Sequence, residues 1–294
     1  MKIKLERVVY IKMDFILILK SIIVGIVEGI TEFLPVSSTG HMIIIGKLIG
    51  FNGVYDKSYT DMFEVVIQLG AILAIVVLYK EKIISTLKNF FPSNRVPARR
   101  SGLRFWIMIA IACFPAAAIG LPLHDKIQEK LFFPIPVALA LLVGGVWMIY
   151  AENKYRNNYK GITIDDVNAK QALIIGVFQC LSLWPGMSRS ASTIIGAWIS
   201  GLSTVAAAEF SFFLAIPVMV GASAVSIYKH NIFALCSTSQ LVALAVGFII
   251  SFIVALIVVD KFIKFLKKKP MRVFAVYRIF LAVIVLILGV LKFI

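Results

Sequence analysis

Two polar blocks interrupt an otherwise apolar chain: Glu28-Gly-Ile-Thr-Glu-Phe-Leu-Pro-Val-Ser-Ser-Thr-Gly-His41 and Pro185-Gly-Met-Ser-Arg-Ser-Ala-Ser-Thr193. The surrounding sequence is 60% hydrophobic, with 22 Phe and a mean hydropathy of +0.95, which places the chain among integral membrane proteins. An ionisable group at membrane depth is costly and normally faces a cavity or a partner, so each block is a candidate functional site. Each also carries a helix-breaking proline, which makes simple spans of the stretches Phe15 to Gly50 and Gln171 to Gly201 poor readings.

Six other stretches are apolar and long enough to cross a bilayer, which needs about 20 residues per helix. They are Met62 to Leu78, Phe105 to Leu121, Ile135 to Tyr150, Phe210 to Tyr228, Leu241 to Val259 and Phe274 to Phe293. The fold class is therefore an all-α polytopic membrane protein with six transmembrane helices and two re-entrant helical hairpins.

Loop charge orients it. The segment Lys80 to Arg104 has seven basic residues against Glu81, and Asp260 to Arg272 has six against Asp260. Both belong on the cytoplasmic side by the positive-inside pattern. The loop Glu152 to Lys170 joins them, while the connections His124 to Lys130 and Lys229 to Gln240 fit the outside. The first hairpin then dips in from outside and the second from the cytoplasm. The basic N-terminal tail would lie outside, against the rule. Residues 1–12 read as an exposed, mobile extension, with Met13 opening the first apolar helix. No small-residue cleavage site precedes Glu28, so no cleaved signal peptide is expected.

The net charge of +15 follows from these loops and speaks for anionic lipid, not nucleic acid. Cys113, Cys180 and Cys236 match no metal spacing and read as packing residues.

Opposite orientation of the hairpins implies an inverted repeat, about 13–151 and 171–294, within one membrane domain of residues 13–294. Gly25-Ile-Val-Glu28 resembles Gly176-Val-Phe-Gln179, and both continue through an aromatic and a proline to a hydroxyl run. Aligning Pro35 with Pro185 requires a one-residue gap and sets Glu28 against Gln179 and Thr39 against Arg189. Inverted repeats place functional sites where broken helices meet.

Glu28 and Glu32 share a helical face. Carboxylates this close in a low dielectric repel, so one holds a proton or a cation lies between them, either Arg189 or a divalent ion, Mg²⁺ or Ca²⁺. Ser37 is an N-cap candidate for a helix through His41 to Leu48. Helix-start N–H groups with Ser37, Ser38 and Thr39 form an anion cradle. Ser38 and His41, three apart, suit nucleophile and proton-transfer roles. Arg189 offers a planar fork for phosphate oxygens, and Ser188, Ser190 and Thr193 add donors. Gln68, Gln179 and Glu209 are polar residues in mid-span that either line the same cavity or bond between helices. The set describes phosphoryl transfer more than ion conduction.

With these motifs the chain resembles the bacterial undecaprenyl-diphosphate phosphatase family, the bacitracin resistance proteins, across Met13 to Ile294. The match runs through Glu28-Gly-Ile-Thr-Glu32 into Ser37-Ser-Thr-Gly-His41, Gln68-Leu-Gly-Ala71 and Pro185 to Ser190. The resemblance implies a membrane phosphatase that removes the terminal phosphate of undecaprenyl diphosphate, recycling the lipid carrier for peptidoglycan and conferring bacitracin resistance. It implies Ser38 as nucleophile, His41 as proton donor or acceptor, Glu28 and Glu32 as holders of a divalent ion, and Arg189 as clamp. Ser188, Ser190 and Thr193 would bind phosphate oxygens. Attack by metal-activated water stays open beside attack by Ser38. The expected setting is the bacterial inner membrane with the site facing outward; a homodimer is among the assemblies left open. A lipid transporter is the competing class, since inverted repeats and broken helices also serve transport. The type-2 phosphatidate phosphatases are excluded, because His124 and His230 lack that family's motif.

Overall fold

In a computed structural model the described residues are 2–51, 57–160, 163–230, 237–291 and 293. Cys236 and most of the connection after Lys229 lie outside them. The described residues contain α-helices, short 3₁₀ turns and no strand beyond one isolated bridge between Ser93 and Val96.

The first half comprises α1 (Lys2–Thr31), α2 (Ser38–Leu48), α3 (Lys57–Leu78), α4 (Lys80–Lys88), α5 (Gly102–Leu131) and α6 (Pro134–Tyr155). The second comprises α7 (Ala169–Gln179), α8 (Arg189–Ile199), α9 (Thr204–His230), α10 (Thr238–Leu266) and α11 (Arg272–Val290). Six apolar stretches are long enough to span: Tyr59–Leu78, Gly102–Leu123, Pro134–Tyr155, Thr204–Tyr228, Thr238–Leu266 and Arg272–Val290. They coincide with the six expected. The protein is a multi-pass membrane protein.

Two expectations about helix ends are corrected. Met13 is not a helix start, because α1 is continuous from Lys2. Residues 124–130 do connect the spans Gly102–Leu123 and Pro134–Tyr155, but as the helical end of α5 and not as an irregular loop. Charged residues there lengthen the helix beyond the apolar stretch; a loop was inferred only from the change in polarity.

α1 and α2 form the first hairpin, α7 and α8 the second. Three spanning helices, α3, α5 and α6, separate them, so the second hairpin starts from the opposite side. Packing follows the same two-fold logic. α1 lies on α10, and α7 lies on α5, the counterpart of α10. Both contacts need glycine: a Cβ on Gly25 would sit 2.7 Å from Gly247 O, and one on Gly176 would sit 2.5 Å from Ala112 O. Small residues let membrane helices approach backbone to backbone. α6 packs on its own counterpart, α11.

The symmetry breaks at one pair. α10 packs along α3, but the equivalent pair, α5 and α9, touches much less. Pro115 and Pro122 interrupt α5 and Pro217 interrupts α9. Near Pro217, α9 is open at Gly221, where a Cβ would meet no other helix within 4 Å among the described residues.

α4 and the start of α5 dock on the segment before α7. Arg104 Nη1 donates to Asp165 O at 2.7 Å and Nη2 to Val167 O at 2.9 Å, and Lys82 pairs with Asp165. The Thr163 hydroxyl, with Arg99 nearby, holds the Asp166 carboxyl below its usual range.

Candidate active site

The hairpin tips are built alike. Ser37 and Ser188 are the only non-glycine residues with positive φ among those described, at 70° and 69°. Each is the N-cap of the second arm: Ser37 Oγ accepts from Gly40 N–H and Ser188 Oγ from Ala191 N–H. A serine in this region costs about 1–3 kcal/mol, and such strain concentrates at functional sites. The shared strain also fixes the repeat register. Ser37 corresponds to Ser188, and Glu28 to Gln179, with no gap. Ser38 therefore stands opposite Arg189, and Thr39 opposite Ser190, which corrects the pairing of Thr39 with Arg189. The prolines misled the alignment: the tip conformation is set by the capping serines, not by Pro35 and Pro185.

The tips meet. Ser190 Oγ donates to Leu34 O at 3.1 Å. Arg189 Nη2 donates to Glu32 Oε1 at 3.2 Å, an ion pair whose side chains are only 11% and 6% exposed. Ser38 Oγ donates to the other oxygen, Glu32 Oε2, at 2.8 Å. Arg189 Nη1 donates to Ser211 O at 2.9 Å, and its guanidinium sits 5.9 Å from the centre of the Phe33 ring. One carboxylate thus joins a serine of the first tip to an arginine of the second.

These groups wall a cavity of about 200 Å³ lined by Glu32, Ser37, Ser38, Thr39, Gln68, Gly186, Ser188 and Arg189. Its apolar side is Val218, Met219 and Ala222, on the open stretch of α9. Glu28 is buried, one turn deeper on α1, and its Oε1 has no hydrogen-bond partner among the described residues.

Other expected site residues stand apart from the cavity. Thr193 is buried, donating to Arg189 O and contacting Ser211 Oγ, and Ser190 is held by Leu34 O. Gln179 is buried without partners for its amide. Glu209 accepts from Tyr79 Oη at 3.4 Å. His41 is not the hydrogen-bond partner of Ser38. Its Nδ1 lies 2.7 Å from Ser37 O, so that nitrogen carries the proton, and its Nε2 lies 2.7 Å from Tyr277 Oη. Nδ1 is thus tied to the first tip's own backbone and Nε2 links that tip to α11, while Glu32 occupies the proton-accepting position beside Ser38.

Sequence reasoning missed Tyr277 and Arg278. Arg278 is fully buried and donates to the carbonyls of Gly186 and Met187. An arginine inside the apolar stretch Phe274 to Phe293 was itself a signal.

The two carboxylates can be tested against a divalent ion. Among the described residues no three His, Cys, Asp or Glu side chains form a ligand set. Mg²⁺, however, is commonly held by one or two carboxylates together with substrate phosphates. The unpartnered, buried Glu28 Oε1 beside Glu32 fits that shared mode.

A polytopic membrane protein with an acid–serine–arginine site between inverted hairpin tips is the class this fold and site define. The chain belongs to the bacitracin resistance protein BacA family, whose model matches residues 21–284. It is 61% identical to the undecaprenyl-diphosphatase of Clostridium novyi, over 92% of this chain and 96% of that protein. It is 57% identical to undecaprenyl-diphosphatase 2 of Clostridium acetobutylicum, over 95% and 98%. It is 55% identical to the undecaprenyl-diphosphatase of Ruminiclostridium cellulolyticum, over 96% and 100%.

Proposed function

We propose that this protein hydrolyses undecaprenyl diphosphate to undecaprenyl phosphate and inorganic phosphate, returning the lipid carrier to cell-wall synthesis and conferring bacitracin resistance. The observation that carries the reading is the continuous chain Ser38–Glu32–Arg189 on one cavity wall. The diphosphate enters between the tips. Arg189, Ser188 and the first N–H groups of α2 and α8 take its oxygens. The prenyl chain leaves over Val218, Met219 and Ala222 into the bilayer.

When the diphosphate draws Arg189 onto itself, Glu32 Oε1 is released from the ion pair and Oε2 accepts the Ser38 proton. Ser38 Oγ bonds to the terminal phosphorus, the bridging P–O bond breaks, and undecaprenyl phosphate departs with that electron pair. Water then attacks the phosphoserine, the Ser38 Oγ–P bond breaks as Glu32 returns its proton to Ser38 Oγ, and both protons of the water leave on inorganic phosphate. His41 and Tyr277 hold the first tip in place. Glu28 and Glu32 would hold Mg²⁺ or Ca²⁺ jointly with the substrate; such an ion neutralises phosphate charge.

Purified protein in detergent is expected to release phosphate from undecaprenyl diphosphate, and EDTA is expected to suppress the release. Absence of release in the presence of either ion would count against the phosphatase reading. Release that EDTA leaves untouched would remove the ion from the scheme.

We place the protein in the inner membrane with the cavity open to the outer side, because the basic segments after α3 and α10 belong to the cytoplasm. Ser37→Cys is expected to react with a membrane-impermeant thiol reagent in intact cells. Labelling only after the membrane is permeabilised would reverse that orientation.

A further inference from the structure

We propose that Arg278 is a positioning residue that shapes the anion cradle of the second hairpin tip; this rests on the phosphatase reading above. Its side chain is 0% exposed in the middle of α11. Nη2 donates to Gly186 O at 3.1 Å and to Met187 O at 2.8 Å. Nε and Nη1 have no partner, and no carboxylate forms an ion pair with it among the described residues. A buried guanidinium without a counter-charge is expensive, and a plain packing role would be filled more stably by an apolar side chain.

What the arginine does is geometric. The two carbonyls it binds flank the most contorted part of the tip, where Gly186 has φ +99° and Ser188 has φ 69°. The peptide unit is planar and trans, so aiming the Met187 carbonyl at Arg278 turns the Ser188 N–H the opposite way. Gly186 and Ser188 line the cavity, and Arg189 follows directly. Arg278 thus holds the strained turn so that the Ser188 N–H and the start of α8 face the phosphate. Room for the guanidinium is made by Gly144 of α6, where a Cβ would sit 2.2 Å from Nη2. The preceding residue, Tyr277, braces the other tip through His41. One turn of α11 therefore registers both tips against each other.

The test uses full-length protein in detergent and two readouts: kinetics with undecaprenyl diphosphate, and competitive inhibition by inorganic pyrophosphate as a probe of the cradle. Arg278→Met is expected to lower kcat/KM about 100-fold, the scale of a misplacement near 1 Å. It is also expected to weaken pyrophosphate inhibition about 10-fold, by the same loss of preorganised donors. Gly144→Ala, which displaces the guanidinium without removing it, moves both readouts the same way by a smaller factor. Arg278→Lys restores part of the pyrophosphate inhibition.

A folded Arg278→Met with wild-type inhibition overturns the proposal. So does activity loss that only tracks the folded fraction. If Arg278→Met does not fold, unchanged pyrophosphate inhibition in Gly144→Ala overturns it equally. Should the wild type release no phosphate at all, the enzymatic reading fails. Pyrophosphate that raises the Tm of the wild type but not of Gly144→Ala would still support the cradle.

Discussion

Arg189→Ala is expected to abolish measurable phosphate release, with kcat/KM reduced by about three to five orders of magnitude, the range associated with arginines that stabilise phosphoryl transfer. Two losses add. The guanidinium would no longer meet the diphosphate oxygens, and the negative charge that spreads over the phosphoryl group would lose its main fixed cation. Glu32 would also lose the 3.2 Å ion pair that joins the tips. Removing one partner of a buried pair typically costs about 3–5 kcal/mol of stability, so the variant should also melt earlier. Arg189→Lys separates the two effects. It keeps the charge and most of the stability, but a point-like ammonium cannot reproduce the fork that holds Glu32 and Ser211 O in the free protein and then turns to the phosphate oxygens of the substrate. It is expected to melt close to wild type while kcat/KM still falls about 100-fold or more. Near-wild-type turnover in Arg189→Lys would show that charge alone suffices.

The spans were legible because membrane helices announce themselves by length and hydropathy, and all six were found, although Thr204–Tyr228 starts before the expected Phe210 and Thr238–Leu266 runs past the expected Val259. The hairpins were legible because Pro35, Pro185 and the hydroxyl runs break two apolar stretches. Their register was not. It depends on the positive φ at Ser37 and Ser188, a backbone state that serine does not advertise, whereas the prolines offered a visible but misleading anchor. Within the site, Ser38, Glu32 and Arg189 were legible because charge and hydroxyls are conspicuous in apolar sequence. The partner of Ser38 was not, since three residues of separation made His41 look adjacent. In the fold, His41 turns to Tyr277, far along the chain, and Glu32, in the turn just after α1, arrives instead. Arg278 was hidden by averaging: one internal arginine barely lowers the hydropathy of a 19-residue helix whose other charge, Arg272, is its first residue.

Glu32→Gln is expected to lower kcat by about three orders of magnitude with a smaller change in KM, the upper part of the range for a general base. The amide is nearly isosteric and its oxygen can still accept from Ser38, but its NH2 then faces the Arg189 guanidinium, donor against donor, so the proton acceptor and the ion pair between the tips are lost together and Tm should fall as well. The kcat of Ser38→Ala should fall equally far, because nucleophile and base act as one unit. That unit predicts non-additivity: Glu32→Gln combined with Ser38→Ala should be no slower than the worse single variant, as is found when residues share one step. Direct attack by water would give a different pattern. Ser38 would then be only a donor to a phosphate oxygen, Ser38→Ala would cost about 100-fold, and adding Glu32→Gln would multiply the loss. Rapid acid quench supplies the second criterion. Covalent catalysis requires phosphate from substrate labelled in its terminal phosphate to appear on Ser38 within the first turnover in wild type, and to be absent from Ser38→Ala. Multiplying losses with no labelled protein would replace the phosphoserine route by water attack assisted by Glu32.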